Sequence, residues 1–220
     1  PVKELPDINM DILIETEGEE VREMTRLNAI ELIKTPKGET VIDFGQNLTG
    51  YVEWKVPAKK GQEFKLYHAE ILDKDGNFYT ENLRSAKAQV TVISDGIEKT
   101  YKPHFSFMGF RYIKLEGFDE KDINLENFTA VVVFSDMKRI GYFACGNDLV
   151  QQLYENIVWG LRGNFLDVPT DCPQRDERLG WTGDAQVFAR TASTTYKTDK
   201  FFRKWLHDLA ADQRENGAFT

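Results

Sequence analysis

The chain has 220 residues, 28 of them basic and 36 acidic, so its net charge is −8 at neutral pH. Hydrophobic residues make up 41% of the chain, which is enough for a folded core that needs neither disulfides nor a metal. The acidic excess predicts binding neither to nucleic acid nor to a membrane surface, because both attract basic patches. No apolar run approaches the ~20 residues of a membrane span.

The two cysteines, Cys145 and Cys172, give no disulfide framework and predict free thiols. No signal peptide is recognised in the first thirty residues. The free thiols and the lack of a recognised signal peptide slightly favour the cytoplasm. The chain starts at Pro1 rather than at a methionine, so we expect a processed or excised piece.

Residues 1–140 carry the period-two hydrophobic pattern of half-buried β-strands. In residues 51–56, Val52, Trp54 and Val56 alternate with more polar side chains, and residues 63–68 repeat the pattern. Further β-rich segments are residues 40–44, 89–93, 110–115 and 129–134. Turn sequences rich in Gly and Asp separate these segments, and no helical pattern lies between them. The sequence therefore predicts an antiparallel β-sandwich domain over residues 1–140.

Residues 141–220 change to a helical period. Asn147 is the predicted N-cap of a first helix, Asp184 the start of a second, and Thr198 the N-cap of a third that stops at Gly217. The apolar stripe of the third helix has few partner helices within the chain. We therefore expect it to be exposed or covered in a homo-oligomer.

A long segment rich in Pro, Gly and charge, from about residue 164 to 183, joins the first two helices. Long loops of this kind are often functional. A partly buried carboxyl group beside an aromatic ring and other carboxylates is suited to general acid catalysis. Carboxylates and guanidinium groups bind vicinal hydroxyls, and an aromatic ring covers the C–H face of a sugar. On composition alone, a charged surface loop whose arginines pair with their neighbours is the favoured interpretation.

The sequence DCPQRDERLGWTGD at residues 171–184, preceded by NFLDVPT, resembles the signature of bacterial inverting α-L-rhamnosidases. Residues 43–47, 68–84 and 105–112 are similar to the β-sandwich domain of that family. The resemblance implies an antiparallel β-sandwich followed by the first helices of an (α/α)6-barrel, which is truncated here. It also implies an enzyme that removes terminal α-L-rhamnose from glycosides or oligosaccharides, for which we expect no cofactor and no metal.

The resemblance also assigns roles to individual residues. Glu177 matches the general acid of the family, which protonates the oxygen of the leaving group. Asp171, Arg175, Trp181 and Asp184 match residues that line the rhamnose pocket. The general base of the family lies on a much later segment, so we expect the 220-residue chain to be inactive alone.

Weaker patterns allow other assignments. Asp176 ranks below the pocket residues as a substrate-binding candidate, and orienting the loop through Arg175 or Arg178 is at least as good an interpretation of it. The acidic residues at 73–81 are spaced somewhat like a calcium loop, but a hairpin turn is the stronger interpretation. A different class of function also stays open, namely a non-catalytic carbohydrate-binding β-sandwich module with a helical appendage. Its decisive residues would be exposed aromatic side chains of the sandwich.

Overall fold

The structure is a computed structural model that describes residues 2–3 and 9–219. Within these residues, eight strands form one antiparallel sheet, and three helices and a small hairpin follow it. The strands of the sheet are β1 (Val21–Asn28), β2 (Glu31–Lys34), β3 (Thr40–Val56), β4 (Glu63–Ala69), β5 (Gln89–Ile93), β6 (Lys99–Tyr101), β7 (Met108–Glu116) and β8 (Phe128–Ser135). The predicted order of a β domain before a helical segment is confirmed.

Strand β3 organises the sheet because it has seventeen residues and pairs with two strands along each edge. On one edge it pairs with β2 and then with β8, and on the other with β7 and then with β6. A bulge between Asp43 and Leu48 interrupts its pairing with β7, and Gly45 there has a φ of +77° that favours glycine. The bend lets one continuous sheet curl around its own core, in place of two separate sheets.

The core of the sheet consists of the apolar residues that the period-two pattern selects. Trp54 is 1% exposed and makes ring contacts with Phe64 and Phe128. Phe64 and Leu66 point into this core from β4, in the predicted alternation. His68 continues the same face and is as buried as its apolar neighbours.

The helices are α1 (Asp148–Asn164), α2 (Thr182–Thr195) and α3 (Asp199–Ala211). The side chain of Asn147 caps α1 as predicted, since its oxygen accepts a hydrogen bond from the N–H of Val150 at 3.1 Å. The prediction that Gly217 stops α3 is wrong, because the helix ends at Ala211 and a separate turn follows that is closed by Gly217 N–H on the carbonyl of Arg214. None of the helices described here is long and apolar enough to cross a membrane.

The helices pack against one another around a second small core. Phe165, immediately after α1, stacks on Phe201 of α3 with ring centroids 4.7 Å apart. A buried hydrogen bond of 2.9 Å from the hydroxyl of Thr49 in β3 to the carbonyl of Gly163 links the sheet to the end of α1. The segment between α1 and α2 is therefore held against the sheet at the point where it begins.

Candidate functional site

The signature segment begins with a tight hairpin after α1. Strands β9 (Phe165–Leu166) and β10 (Val168–Pro169) pair across Asp167, whose φ of +66° allows the reversal. Thr170 then closes the hairpin, because both its N–H and its hydroxyl donate to the carbonyl of Asn164 at 2.8 Å. The chain continues through residues 170–181, named here the motif loop, before α2 begins at Thr182.

Asp171 anchors the motif loop from inside. Its N–H donates to the carbonyl of Leu179, and its Oδ1 accepts from the N–H of Leu179, both at 3.1 Å. The side chain of Asp171 is only 5% exposed. Burial acts to raise its pKa, but hydrogen bonds from Cys172 and Leu179 and the charge of Arg175 outweigh burial, so its pKa is lowered. Asp171 is therefore a carboxylate at neutral pH.

Glu177 lies at the centre of three nitrogen groups. Trp181 Nε1 donates to its Oε1 at 3.0 Å. Arg175 Nη2 lies 3.1 Å from its Oε2 and 3.5 Å from Oδ2 of Asp171. Arg84 Nη1 donates to the same Oε2 at 3.1 Å. Four of the five residues predicted for the site, Asp171, Arg175, Glu177 and Trp181, thus form one connected cluster.

The sheet domain contributes two residues to this cluster that the sequence analysis missed. Arg84 contacts Glu177, and the hydroxyl of the next residue, Ser85, donates to the carboxylate of Asp176. The hydrogen bond from Ser85 lowers the pKa of Asp176. The partner expected for Asp176 was Arg175 or Arg178. In the structure its hydrogen-bond partner is instead the hydroxyl of Ser85 in the sheet domain. The only sequence signal for Arg84 was its place at the end of a segment that resembles the family.

Strand β7 and Phe107, the residue before it, also contact the motif loop. Arg178 donates to the carbonyl of Phe107 at 3.0 Å, and its guanidinium lies 4.6 Å from the centroid of the Phe107 ring. Burial lowers the pKa of Arg178 from its very high ordinary value. At Gly109 the backbone comes so close that a Cβ would lie 2.9 Å from atoms of both Pro173 and Gln174. The loop is therefore supported by the sheet along its length.

Asp184 is the one predicted site residue outside the connected cluster. It lies in the first turn of α2 and lines, with Asp171, a pocket of about 520 Å³ between α1 and α2. Trp181 lines a different pocket of about 590 Å³, formed with α3 on the other side of the loop. The motif loop thus separates two pockets, and Glu177 is bonded directly to Trp181 of the α3-side pocket and linked through Arg175 to Asp171 of the other.

Several polar atoms of this region are buried with no hydrogen-bond partner among the described residues. These atoms are Asn164 Oδ1, Asp171 Oδ2, Gln174 Oε1 and Arg175 Nε. Buried polar groups are nearly always paired in folded proteins, so a bound water or a small movement of the loop is needed to satisfy these four atoms.

Asp171, Cys172 and Glu177 bring possible metal ligands within 4.8 Å of one another. The donor set fits a metal poorly, because the guanidinium of Arg175 already lies against both carboxylates. Burial also raises the pKa of the Cys172 thiol, which keeps it protonated and poorly suited to ligation. The expectation of no metal stays a prediction.

Comparison with known proteins gives the same family for both parts of the chain. Residues 33–134 match the "bacterial alpha-L-rhamnosidase concanavalin-like domain", and residues 138–220 match the "bacterial alpha-L-rhamnosidase 6 hairpin glycosidase domain". An alpha-L-rhamnosidase of Streptomyces avermitilis is 43% identical over 215 residues, which is 97% of this chain and 21% of that protein.

Solved structures agree with this result. The native α-L-rhamnosidase of Aspergillus terreus matches with a TM-score of 0.89 and 42% identity, over 94% of this chain and 24% of that one. The Streptomyces avermitilis enzyme, solved in complex with L-rhamnose, matches with a TM-score of 0.87 and 43% identity, over 92% of this chain and 20% of that one. The chain spans about a fifth of the length of the curated relatives it matches. Since both matched models describe domains of one family and leave out little beyond the first 32 residues, this chain belongs to the bacterial α-L-rhamnosidase family.

Proposed function

We propose that this chain is the part of an α-L-rhamnosidase that supplies the general acid and one wall of the rhamnose pocket. The observation that carries the proposal is the position of Glu177, whose carboxyl group is held by Arg84, Arg175 and Trp181. A general acid must be fixed in orientation toward the atom it protonates. Three nitrogen groups from separate points of the chain provide that orientation.

In the proposed reaction, Glu177 gives its proton to the glycosidic oxygen as the bond to the rhamnose carbon breaks. Asp171 and Arg175 bind hydroxyl groups of the sugar as carboxylate and guanidinium partners. Asp184 lines the pocket on the α2 side, and Trp181, on the α3 side of the loop, is assigned by the resemblance to the C–H face of the sugar. The proposed division of labour places the sheet domain, residues 1–140, behind the loop and the helical segment, residues 141–220, around the sugar.

An inverting mechanism requires a second carboxyl group, which activates a water from about 6.5–9.5 Å away. Asp171 is unsuited to that role because it is buried and its Oδ1 already accepts the N–H of Leu179. We therefore propose that the base lies outside these 220 residues, and that this chain alone has no turnover. Rhamnose-containing glycosides are the proposed substrates of the whole protein.

The test compares the wild type with two variants of the complete polypeptide that carries this sequence, on methyl α-L-rhamnopyranoside, whose alkoxide leaving group needs the proton. Glu177→Gln should lower kcat by about 10²- to 10⁴-fold, because an amide N–H is too weakly acidic to protonate the leaving group. Calorimetry should show that L-rhamnose still binds. Phe105→Ala is the matched control, since Phe105 of the sheet domain is fully exposed and far in sequence from the motif loop. Near-normal turnover in Glu177→Gln would contradict the acid assignment. Loss of sugar binding in Phe105→Ala alone would instead support a binding module.

The same assay on the isolated 220-residue chain tests the position of the base. No turnover is expected, with rhamnose binding weak or absent. Robust hydrolysis by the isolated chain would show that both carboxyl groups lie within it and would overturn this part of the proposal.

A further inference from the structure

Arg84 reaches the motif loop from the sheet domain, 93 residues away along the chain. It follows a short 3₁₀ turn, Glu81–Leu83, whose last residue, Leu83, is 1% exposed. The carbonyl of Leu83 also accepts the N–H of Ala86, so the backbone on both sides of Arg84 is fixed. The guanidinium is therefore presented to Glu177 from a rigid support, although its side chain is half-exposed.

The two carboxyl oxygens of Glu177 have different partners. Oε2 lies 3.1 Å from Arg84 Nη1 and 3.1 Å from Arg175 Nη2, whereas Oε1 accepts from Trp181 Nε1 at 3.0 Å. A guanidinium group has only donors. A proton on Oε2 would therefore point at two cationic donors and find no acceptor, so the proton of the neutral carboxyl group belongs on Oε1.

We propose that Arg84 is a positioning residue for the general acid: it holds Oε2 from the sheet side and leaves Oε1 as the oxygen that delivers the proton. This inference rests on the proposed function of Glu177. In the transfer, the O–H bond at Oε1 breaks and the proton goes to the glycosidic oxygen, which takes the electron pair of the breaking C–O bond. The negative charge left on the carboxyl group then lies beside the two guanidinium groups, which stabilise it as it develops.

The leaving group distinguishes this role from a merely structural one. Hydrolysis of an alkyl rhamnoside needs the proton because an alkoxide is a poor leaving group. The 4-nitrophenolate of a 4-nitrophenyl rhamnoside is a good leaving group and departs with little protonation. Loss of folding or of substrate binding would lower the rates on both substrates alike. Loss of acid positioning lowers the rate on the alkyl substrate selectively.

The experiment measures kcat of the complete polypeptide on methyl and on 4-nitrophenyl α-L-rhamnopyranoside. Arg84→Gln should lower kcat on the methyl glycoside about 10- to 100-fold, the range expected when a reacting group is misplaced by about 1 Å. The loss on the 4-nitrophenyl glycoside should stay below about threefold, and KM should change little. Arg84→Lys, which keeps one cationic donor, should show the same selectivity with a smaller loss. Arg22→Gln is the matched control, because Arg22 is also a half-exposed arginine of the sheet domain but pairs with Glu20 rather than with the acid.

Equal losses on the two substrates, or no loss in Arg84→Gln, would overturn the positioning role. If Arg84→Gln does not fold, the same comparison is made with Arg84→Lys, and equal losses there overturn the proposal as well. Glu177→Gln is measured in parallel. If it shows no dependence on the leaving group, the proposed acid is wrong. If it does and Arg84→Gln does not, only the inference about Arg84 fails.

Discussion

Acidification from pH 7 to pH 5 should destabilise the sheet through one residue, His68. This side chain is 1% exposed, its Nδ1 lies 2.9 Å from the carbonyl of Ala88, and its ring contacts Phe110 at 4.9 Å. Burial lowers the pKa of His68 from 6.5 to about 4, despite the favourable bond to Ala88. The folded state thus keeps the imidazole neutral where the unfolded chain would protonate it.

The sign and size of the effect follow from this pKa difference. Well above pH 6.5 both states are neutral and the full stability is present. It is lost as the pH falls through 6.5 toward the folded pKa of about 4. At pH 5 the unfolded chain binds nearly one proton more than the folded chain at this site. The free energy of unfolding should therefore fall by about 2 kcal/mol between pH 7 and pH 5 from His68 alone.

Urea unfolding of the 220-residue chain, followed by tryptophan fluorescence at both pH values, measures this loss. His68→Asn keeps a donor for Ala88 but does not titrate, so its loss between the two pH values should be about 2 kcal/mol smaller than that of the wild type. The carboxylates titrate in both proteins and cancel in the comparison. His104→Asn is the control, because His104 is exposed, and it should behave like the wild type. The same loss in wild type and His68→Asn would refute the reasoning.

Two substitutions test the contacts between the sheet and the loop segment by urea unfolding at pH 7. Thr49→Val should lower the free energy of unfolding by about 1–3 kcal/mol, because the buried carbonyl of Gly163 loses its donor. Thr49→Ser keeps the hydroxyl and should stay near the wild type. Equal stability of all three proteins would show that the bond contributes nothing. Gly109→Ala should cost about 1–3 kcal/mol because its Cβ would lie 2.9 Å from the Cβ of Gln174. Gly146→Ala, where nothing lies within 4 Å, should change little, and an equally small effect at Gly109 would show that the loop yields freely.

The fold could be predicted where one face of an element is buried and the other is exposed to solvent. Strands β4, β5, β7 and β8 were found within about two residues at each end. Strand β1 was missed because nearly all of it is exposed or half-exposed, so it carries no period-two signal. Its place in the sheet depends on pairing with β8, a long-range contact that no local pattern reports.

The sequence also did not predict that β3 is one continuous strand over residues 40–56. Residues 40–44 and 51–56 were predicted as separate strands because glycine and polar residues lie between them. In the structure these residues form a bulge, and Asp43 within it is buried and paired with Arg111 through two hydrogen bonds of 2.8 and 2.7 Å. Turn-like composition can mark a bend within a strand as well as its end, and only the neighbouring strands decide which.

The candidate site was predicted as far as it is local in sequence. Four of the five residues assigned by resemblance form one cluster, because they lie on one loop closed by Asp171 and Leu179. The loop has no secondary structure of its own, so its shape depends on contacts that come from elsewhere. Arg84 and Ser85 supply these contacts from a part of the chain about 90 residues earlier, and composition gives no sign of the pairing.

This dependence explains why a sheet domain should precede the helical segment in one chain. A general acid tolerates little displacement, and a loop rich in Gly and Pro cannot fix its own carboxyl group to within a fraction of an ångström. The sheet contacts this segment at three places. Thr49 of β3 bonds the carbonyl of Gly163 at the end of α1, Gly109 of β7 packs against residues 173–174, and residues 84–85 contact the acid and its neighbour. The first two contacts are apolar or neutral and fix the distance of the loop from the sheet. The third is charged and fixes the orientation of one carboxyl group. If that division is right, substitutions at Thr49 and Gly109 change stability and turnover together, and substitutions at Arg84 change turnover alone.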